Sequence, residues 1–253
     1  MQGPGILISD HKQIFKVMSN RKQAFAQPQS NPATKFIEWK SNDKCFSYYD
    51  KEKQANVQIP LPFKFLVLDE LHTVKGWNDA TSSSIYSNEV KFISKEEMTV
   101  KPFKGNEIAK GLYKDIKEKI VAAGGHYTRS IYVMLEDGSL ANIQLKGSAT
   151  QQWGDFTQKT RSRLADEWII VKDTKDGKKG AVKFSMPNFT FEKSLTDKEC
   201  TMADNCFDIL EAYLKTYLIK KDINEIEVVL NGDIANDFNE TEEAAEYEDE
   251  LEF

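Results

Sequence analysis

The 253-residue chain is 40% apolar and 29% charged, the composition of an ordinary globular protein rather than a fibrous or disordered one. Its formal net charge of −6 hides an asymmetry: residues 233–253 hold ten of the 40 acids and no Lys or Arg, so residues 1–232 carry 34 bases against 30 acids. No apolar run approaches the ~20 residues of a membrane span, and Met1 to Ile8 lack the long apolar centre of a secretory signal.

In chain order, residues 1–34 read as an arm or linker. Asp10 to Phe25 has the apolar spacing of a short basic helix, and Gln27 to Pro32 breaks regular structure. Residues 35–230 form the main body. Lys35 to Trp39 and Lys44 to Tyr49 read as paired strands across Asn42-Asp43, with a short segment over Gln54 to Ile59. Phe63 to Leu68 is apolar throughout and is expected to be central. Thr73 to Asn78 continues it, and Gly76 suggests a bulge or bend there. Ile85 to Ile93 and Met98 to Phe103 are further strands.

Ile108, Leu112, Ile116 and Ile120 recur every four residues, which predicts a helix capped by Asn106 and ended by Gly124-Gly125. Arg129 to Leu135 and Leu140 to Leu145 form a hairpin around Glu136-Asp137-Gly138-Ser139. Ser148 to Gln158 is a short helix burying Ala149, Trp153 and Phe156, and Trp168 to Lys172 pairs with Ala181 to Met186. Thr196 and Glu199 form a capping box opening a helix over 197–220, whose apolar stripe is Cys200, Ala203, Phe207, Leu210, Leu214 and Tyr217. Asn224 to Leu230 reads as a closing strand, and residues 231–253 as a disordered acidic tail.

The fold class is mainly β with α elaborations (α+β). Its pattern resembles an OB-like five-stranded barrel with an inserted helix, an extra hairpin and a C-terminal helix. The pattern alone leaves other small barrels and an α+β sandwich open.

Catalytic signatures are weak. Phe65 to Glu70 has the form of a Walker B strand, but no phosphate-cradling Gly-x-x-x-x-Gly-Lys-Ser/Thr loop accompanies it. His11, His72 and His126 are scattered, and Cys45, Cys200 and Cys206 stand at no metal-ligand spacing, so neither a metal nor another cofactor is expected and a reducing compartment is. Asp166-Glu167 with Lys172 loosely echoes a metal-dependent nuclease and keeps that alternative open.

What the body does offer is bases interleaved with aromatics along strands, the composition that binds single strands without sequence preference. The candidate nucleic-acid contacts are Trp39, Lys44, Tyr48, Lys64, Lys75, Trp77, Tyr86, Lys91, Lys101, Phe103, Lys104, Arg129 and Tyr132. For Trp39, Trp77, Tyr86 and Tyr132 core and contact roles both stand open. Alternation in Arg129 to Leu135 sets Ile131, Val133 and Leu135 on one face, so Tyr132 is expected to point outward if that face is core.

The acidic stretch closes in Glu246-Tyr247-Glu248-Asp249-Glu250-Leu251-Glu252-Phe253. With a β-rich body, strand-borne bases and a long helix before it, this ending resembles the single-stranded DNA-binding proteins of tailed bacteriophages and bacteria. It lacks the Pro before Phe of the common bacterial form and is nearer the phage type, and residues 146–230 exceed a minimal OB domain. The resemblance implies a non-catalytic protein of DNA replication and recombination in the cytoplasm of a bacterial host. In that family the tail docks a replication protein (polymerase, helicase or primase) and competes with single-stranded DNA for the basic groove. No membrane partner is expected, and a homodimer is compatible with the sequence. The rival from another class is a protein-binding adaptor or DNA mimic whose body never touches nucleic acid.

Overall fold

In the computed structural model, residues 30–218 are described. Eleven strands form one mixed sheet. They are β1 (Lys35–Lys40), β2 (Cys45–Asp50), β3 (Ala55–Ile59), β4 (Phe63–Asn78), β5 (Ser83–Ser87), β6 (Met98–Pro102), β7 (Ala109–Gly111), β8 (Gly125–Leu135), β9 (Leu140–Lys146), β10 (Glu167–Lys179) and β11 (Val182–Ser194). The helices are α1 (Tyr113–Ala122), α2 (Gly147–Gln158) and α3 (Asp197–Tyr217). The main path runs β3-β2-β1-β9-β8-β4-β5-β6-β7, and the β10–β11 hairpin joins it through β4. All pairings are antiparallel except β1 with β9.

The sixteen-residue strand β4 organises the sheet. One edge pairs with β8 along nearly its whole length. The other edge is divided: Phe63 to Phe65 pair with β10, and Lys75 to Asn78 pair with β5. A bulge lies between Val67, opposite Val133, and Asp69, opposite Tyr132, with Leu68 the extra residue. The expectation placed the irregularity at Gly76. That glycine instead permits a close approach of backbone to backbone. A Cβ there would lie 2.1 Å from the Gly124 carbonyl oxygen, so its absence lets β4 and the start of β8 come together.

The bulge reverses which residues of β4 face which side. Before it, Phe63, Phe65 and Val67 face inward. They pack with Ile131, Val133, Ile143, Trp153 of α2, and Ile169, Val171 and Phe189 of the β10–β11 hairpin. After it, Glu70, His72 and Val74 take that side, opposite Ile131, Arg129 and Tyr127. The other side of the sheet carries Leu66, Leu71, Tyr132, Met134 and Leu140, and α3 covers them with Ala203, Leu210, Tyr213 and Leu214. A third cluster joins Val74, Ile85, Met98 and Val100 to Tyr113, Ile116 and Ile120 of α1. A wholly buried Leu such as Leu210 contributes roughly 1.5–3 kcal/mol.

Several expectations hold. The β8–β9 hairpin turns where Gly138 adopts φ +79, and α2 buries Ala149 and Trp153. The capping box of α3 is formed in both directions, Thr196 Oγ1 accepting from the Glu199 amide and Glu199 reaching back to the Thr196 amide.

Others need correction. The helix expected from Asn106 begins only at Tyr113, because Ala109–Gly111 is taken into the sheet by β6. Ile85 to Ile93 is not one strand: β5 ends at Ser87, and Val90 makes a single bridge to His72. The second hairpin is longer than expected and turns at Gly180-Ala181. On α3, Cys206 and Tyr213 are buried, whereas Cys200 and Phe207 are exposed. The ladder does not close into the expected barrel; among the described residues the sheet is open. The Asp10–Phe25 helix, the Asn224–Leu230 strand and the tail residues Glu246 to Phe253 lie outside the described residues. No described helix is long and apolar enough to cross a membrane.

Candidate nucleic-acid interface

The register of the strands fixes which side chains share the α3-covered side of the sheet. Lys75 stands opposite His126 on β8 and opposite Tyr86 on β5, and Tyr86 stands opposite Lys101 on β6. One step along, Trp77 faces Ser84, whose carbonyl accepts from the Phe103 amide at 2.8 Å. Trp77, Ser84 and Phe103 therefore form a row beside the row of His126, Lys75, Tyr86 and Lys101. Toward the opposite edge, Lys146 of β9 stands opposite Thr128, and Lys40 ends β1, two residues past the Glu38–Gln144 pair.

The result is a band of Lys40, Lys146, Lys75 and Lys101 on one side of six consecutive strands, β1, β9, β8, β4, β5 and β6, flanked by two partly exposed rings. Trp77 is 36% and Phe103 47% exposed. The helix α3 covers the other half of the same side, over Leu66, Tyr132 and Met134. Lys104, exposed, follows Phe103 at the rim, its amide donating to Ser83 Oγ at 3.2 Å.

Charge within the band is managed rather than uniform. Glu38 pairs with Lys146 at 3.1 Å and with Lys40 at 3.5 Å. Burial raises the Glu38 pKa, but Lys146 and Lys40 outweigh it and hold the carboxyl below its ordinary value. Burial pushes Lys75 below the ordinary ammonium value; Glu89 pulls it back up and Lys146 adds repulsion. Glu89 itself is pushed up by burial, while its oxygens accept from Ser130 Oγ and, at 2.8 Å, from Tyr132 OH. Lys75 and Lys146 thus lie close enough to feel one another, and a polyanion laid along the band would relieve that repulsion.

Other expected contacts are drawn elsewhere. Tyr132 is fully buried beneath α3 and hydrogen-bonded to Glu89, so the outward position expected for it is corrected: both sides of β8 are covered. Tyr86 is 2% exposed, with the Lys101 ammonium 6.0 Å from its ring centre, and supports the band from below. Trp39 stacks edge-on against Phe46 and donates its indole N–H to the Ser185 carbonyl at 3.0 Å. Tyr48 packs against the inner core with Lys35 over its ring.

Lys64 is held between Glu136 at 2.9 Å and Glu192 at 3.1 Å. Burial lowers the pKa of Lys64, but those two acids raise it further than burial lowers it. Lys91 pairs with Asp69 at the bulge, and Arg129 pairs with Glu70 on the inner side, where Trp153 also donates to Glu70 at 3.0 Å. Lys44, in the turn just past Lys40, pairs with Asp176 of the β10–β11 hairpin at 2.7 Å and so is drawn off the band. Of the thirteen expected contacts, Lys75, Trp77, Tyr86, Lys101, Phe103 and Lys104 come together. Lys40, His126 and Lys146 were missed, and the only signal for them was a strand register that no single strand reveals.

The residues of the two catalytic lookalikes are also placed by this geometry. The Asp69-Glu70 pair of the Walker-like run directly follows the bulge at Leu68, with Asp69 Oδ1 accepting from the Glu70 amide at 2.7 Å. Glu167 gives both its oxygens to Arg163 at 2.6 Å each. Among the described residues no group of three or more His, Cys, Asp or Glu is arranged to hold a metal. No family model, curated protein or solved structure matches the chain. The arrangement of side chains therefore carries the functional argument alone.

Proposed function

We propose that the protein binds single-stranded DNA without sequence preference, through the lysine band and the rings of Trp77 and Phe103. The observation that carries this is their placement on one continuous side of the sheet, cations in one row and partly exposed aromatics in the next. Lysines spaced along strands can track phosphates, and each base stacked on a ring contributes roughly 1–3 kcal/mol whatever its identity. The protein has no catalytic role in this reading and serves replication or recombination in the cytoplasm of a phage- or plasmid-bearing bacterium.

The strand order gives further support. The sequence β4, β8, β9, α2, β10, β11, with β4 paired to both β8 and β10, is the connectivity of an OB core. The seam that an OB barrel closes by pairing its third and fifth strands is here occupied by β1. It pairs in parallel with β9 and reaches β11 through Trp39 and Ser41, both bonded to the Ser185 carbonyl. We read the fold as an OB barrel opened at that seam by the β1–β2–β3 insertion. The band then crosses the outer surface of the first three core strands, with Lys40 of β1 and Lys101 of β6 at its two ends. The acidic tail, in this proposal, occupies the band when DNA is absent and recruits a polymerase, helicase or primase when displaced.

Titrating oligo-dT into the protein at low salt, with tryptophan fluorescence as the readout, tests the reading. Quenching that is weakened in Trp77→Phe and in Lys75→Ala/Lys101→Ala supports it. Failure to bind at low salt sinks it and leaves the adaptor reading.

A further inference from the structure

The sheet ends at β3, which pairs only with β2. In an antiparallel pair alternate residues turn their N–H and C=O groups away from the partner strand, so β3 presents backbone donors and acceptors along its far edge. Among the described residues no strand or turn bonds to them.

An open edge of this kind pairs with other chains unless something blunts it. The other open edges of the sheet carry such devices. Strand β7 is three residues long, with Lys110 exposed at its centre. Strand β11 is interrupted by Pro187 and charged at Lys183, Glu192 and Lys193. The part of β10 beyond its pairing with β4, Lys172 to Lys179, is mostly charged. Strand β3 has none of these devices. Ala55-Asn56-Val57-Gln58-Ile59 contains no charge and no Pro, and its register with β2 is free of bulges, in a chain that is 29% charged. Its five residues are an ordinary strand length, not a truncated one.

The limits of this edge are fixed on both sides. Asp50 Oδ1 accepts from the amides of Glu52 at 3.0 Å and Lys53 at 3.1 Å, which sets the turn before β3. Pro60, which has no N–H to give, follows it. A strand laid against β3 therefore meets a window of five residues.

The sequence in that window is self-complementary. Turned antiparallel about a two-fold axis at Val57, a second β3 sets Val57 opposite Val57, Asn56 opposite Gln58 and Ala55 opposite Ile59. No like charges meet, amide meets amide, and the small residue meets the large one. Val57 and Ile59 stand opposite Tyr48 and Phe46 on the inner side and are only half-buried. The same two residues of a second copy would cover them.

We infer that β3 pairs with β3 of a second copy, antiparallel about Val57, to give a symmetric dimer with one continuous sheet. An axis perpendicular to the sheet keeps the outer sides of both copies together. The two lysine bands then run in line, their Lys40 ends five strand spacings apart, roughly 24 Å. That consequence rests on the reading of the band as a DNA surface; the dimer itself does not.

Sedimentation velocity of the full chain across a concentration series, without DNA, tests the pairing. A reversible monomer–dimer equilibrium is expected. Val57→Lys and Val57→Glu each place like charges face to face, and each should raise the dimer dissociation constant by about tenfold or more. An equimolar mixture of the two should restore the dimer, because Lys then faces Glu. Val57 lies outside the three core clusters, so both variants should keep the fold, which circular dichroism checks. A monomer at every concentration, a dimer indifferent to both variants, or a mixture no more associated than its components overturns the inference. So does slow hydrogen exchange along the far edge of β3 in a monomeric protein, which assigns that edge to another segment of the same chain. A dimer that binds no oligo-dT leaves the pairing intact and removes only its use in aligning two bands.

Discussion

The salt dependence of DNA binding offers the sharpest quantitative check on the lysine band. For single strands, log K falls with log salt at a slope of about −0.7 per neutralised phosphate. If Lys40, Lys75, Lys101 and Lys146 each meet one phosphate, the slope is about −2.8, and affinity drops roughly fiftyfold between 50 and 200 mM salt. Lys75→Ala/Lys101→Ala removes two contacts, which predicts a slope of about −1.4 and a drop of roughly sevenfold. Oligo-dT titrations followed by fluorescence anisotropy at four salt concentrations measure both slopes. Neither substitution touches the core clusters, so folding should be retained and can be checked by circular dichroism. A double variant whose slope equals that of the unmutated protein, whatever its absolute affinity, refutes the idea that these lysines contact phosphates. A parallel fall in affinity at every salt, with the slope unchanged, would point to lost packing instead.

Further outcomes follow from other parts of the structure. Glu38→Gln frees Lys40 and Lys146 from their shared carboxylate, and is expected to tighten oligo-dT binding and steepen its salt slope by up to about one unit. His72 is held by burial at a pKa of about 4, below its ordinary 6.5, with Tyr127 OH 2.5 Å from its Nδ1. The unfolded chain takes up this proton first as pH falls, so His72 should erode stability from pH 6.5 down to about 4, by roughly 3 kcal/mol in all. Urea midpoints measured across that window should fall less steeply in His72→Gln. At the start of α3, hydrogen bonds from the Thr196 amide and hydroxyl depress Glu199 to about 2. Its contribution is complete above about pH 4.5 and is lost as pH falls toward 2, and Glu199→Gln should flatten the acid limb of the stability curve. Thr196→Ala should cost about 1 kcal/mol in urea unfolding at neutral pH while leaving oligo-dT affinity unchanged. Tyr132→Phe leaves the buried Glu89 short of a donor and should cost roughly 1–3 kcal/mol.

Elements set by local chemistry were legible in the sequence. The Asp137-Gly138 turn, the Thr196–Glu199 box and the Trp153 helix each rest on a few neighbouring residues, and each formed as expected. Elements decided by distant partners were not. The first two turns' worth of the expected 106–123 helix lost Ala109–Gly111 to β6, a pairing that outweighed helical periodicity. Alternation assigned Tyr132 to the correct side of β8 but said nothing of α3, about seventy residues on, which covers that side. The same limit explains the candidate site. Base-and-ring composition selected Lys75, Trp77, Lys101 and Phe103, but it also selected Lys64, Lys91 and Arg129, whose acids come from elsewhere in the chain. Lys40 and Lys146 became neighbours only through the parallel contact between β1 and β9.

The single extra residue at Leu68 has reach beyond its own turn of chain. Side chains in a strand keep strict odd–even parity, and this one residue resets the parity for everything after it in β4. Were it deleted, Lys75 and Trp77 would swing to the side now holding Val74 and His72, and Val74 would swing out in their place. The chain therefore tolerates substitution at Leu68 far better than a change of length there. The whole display of charge and ring on that surface is indexed to one count along the backbone.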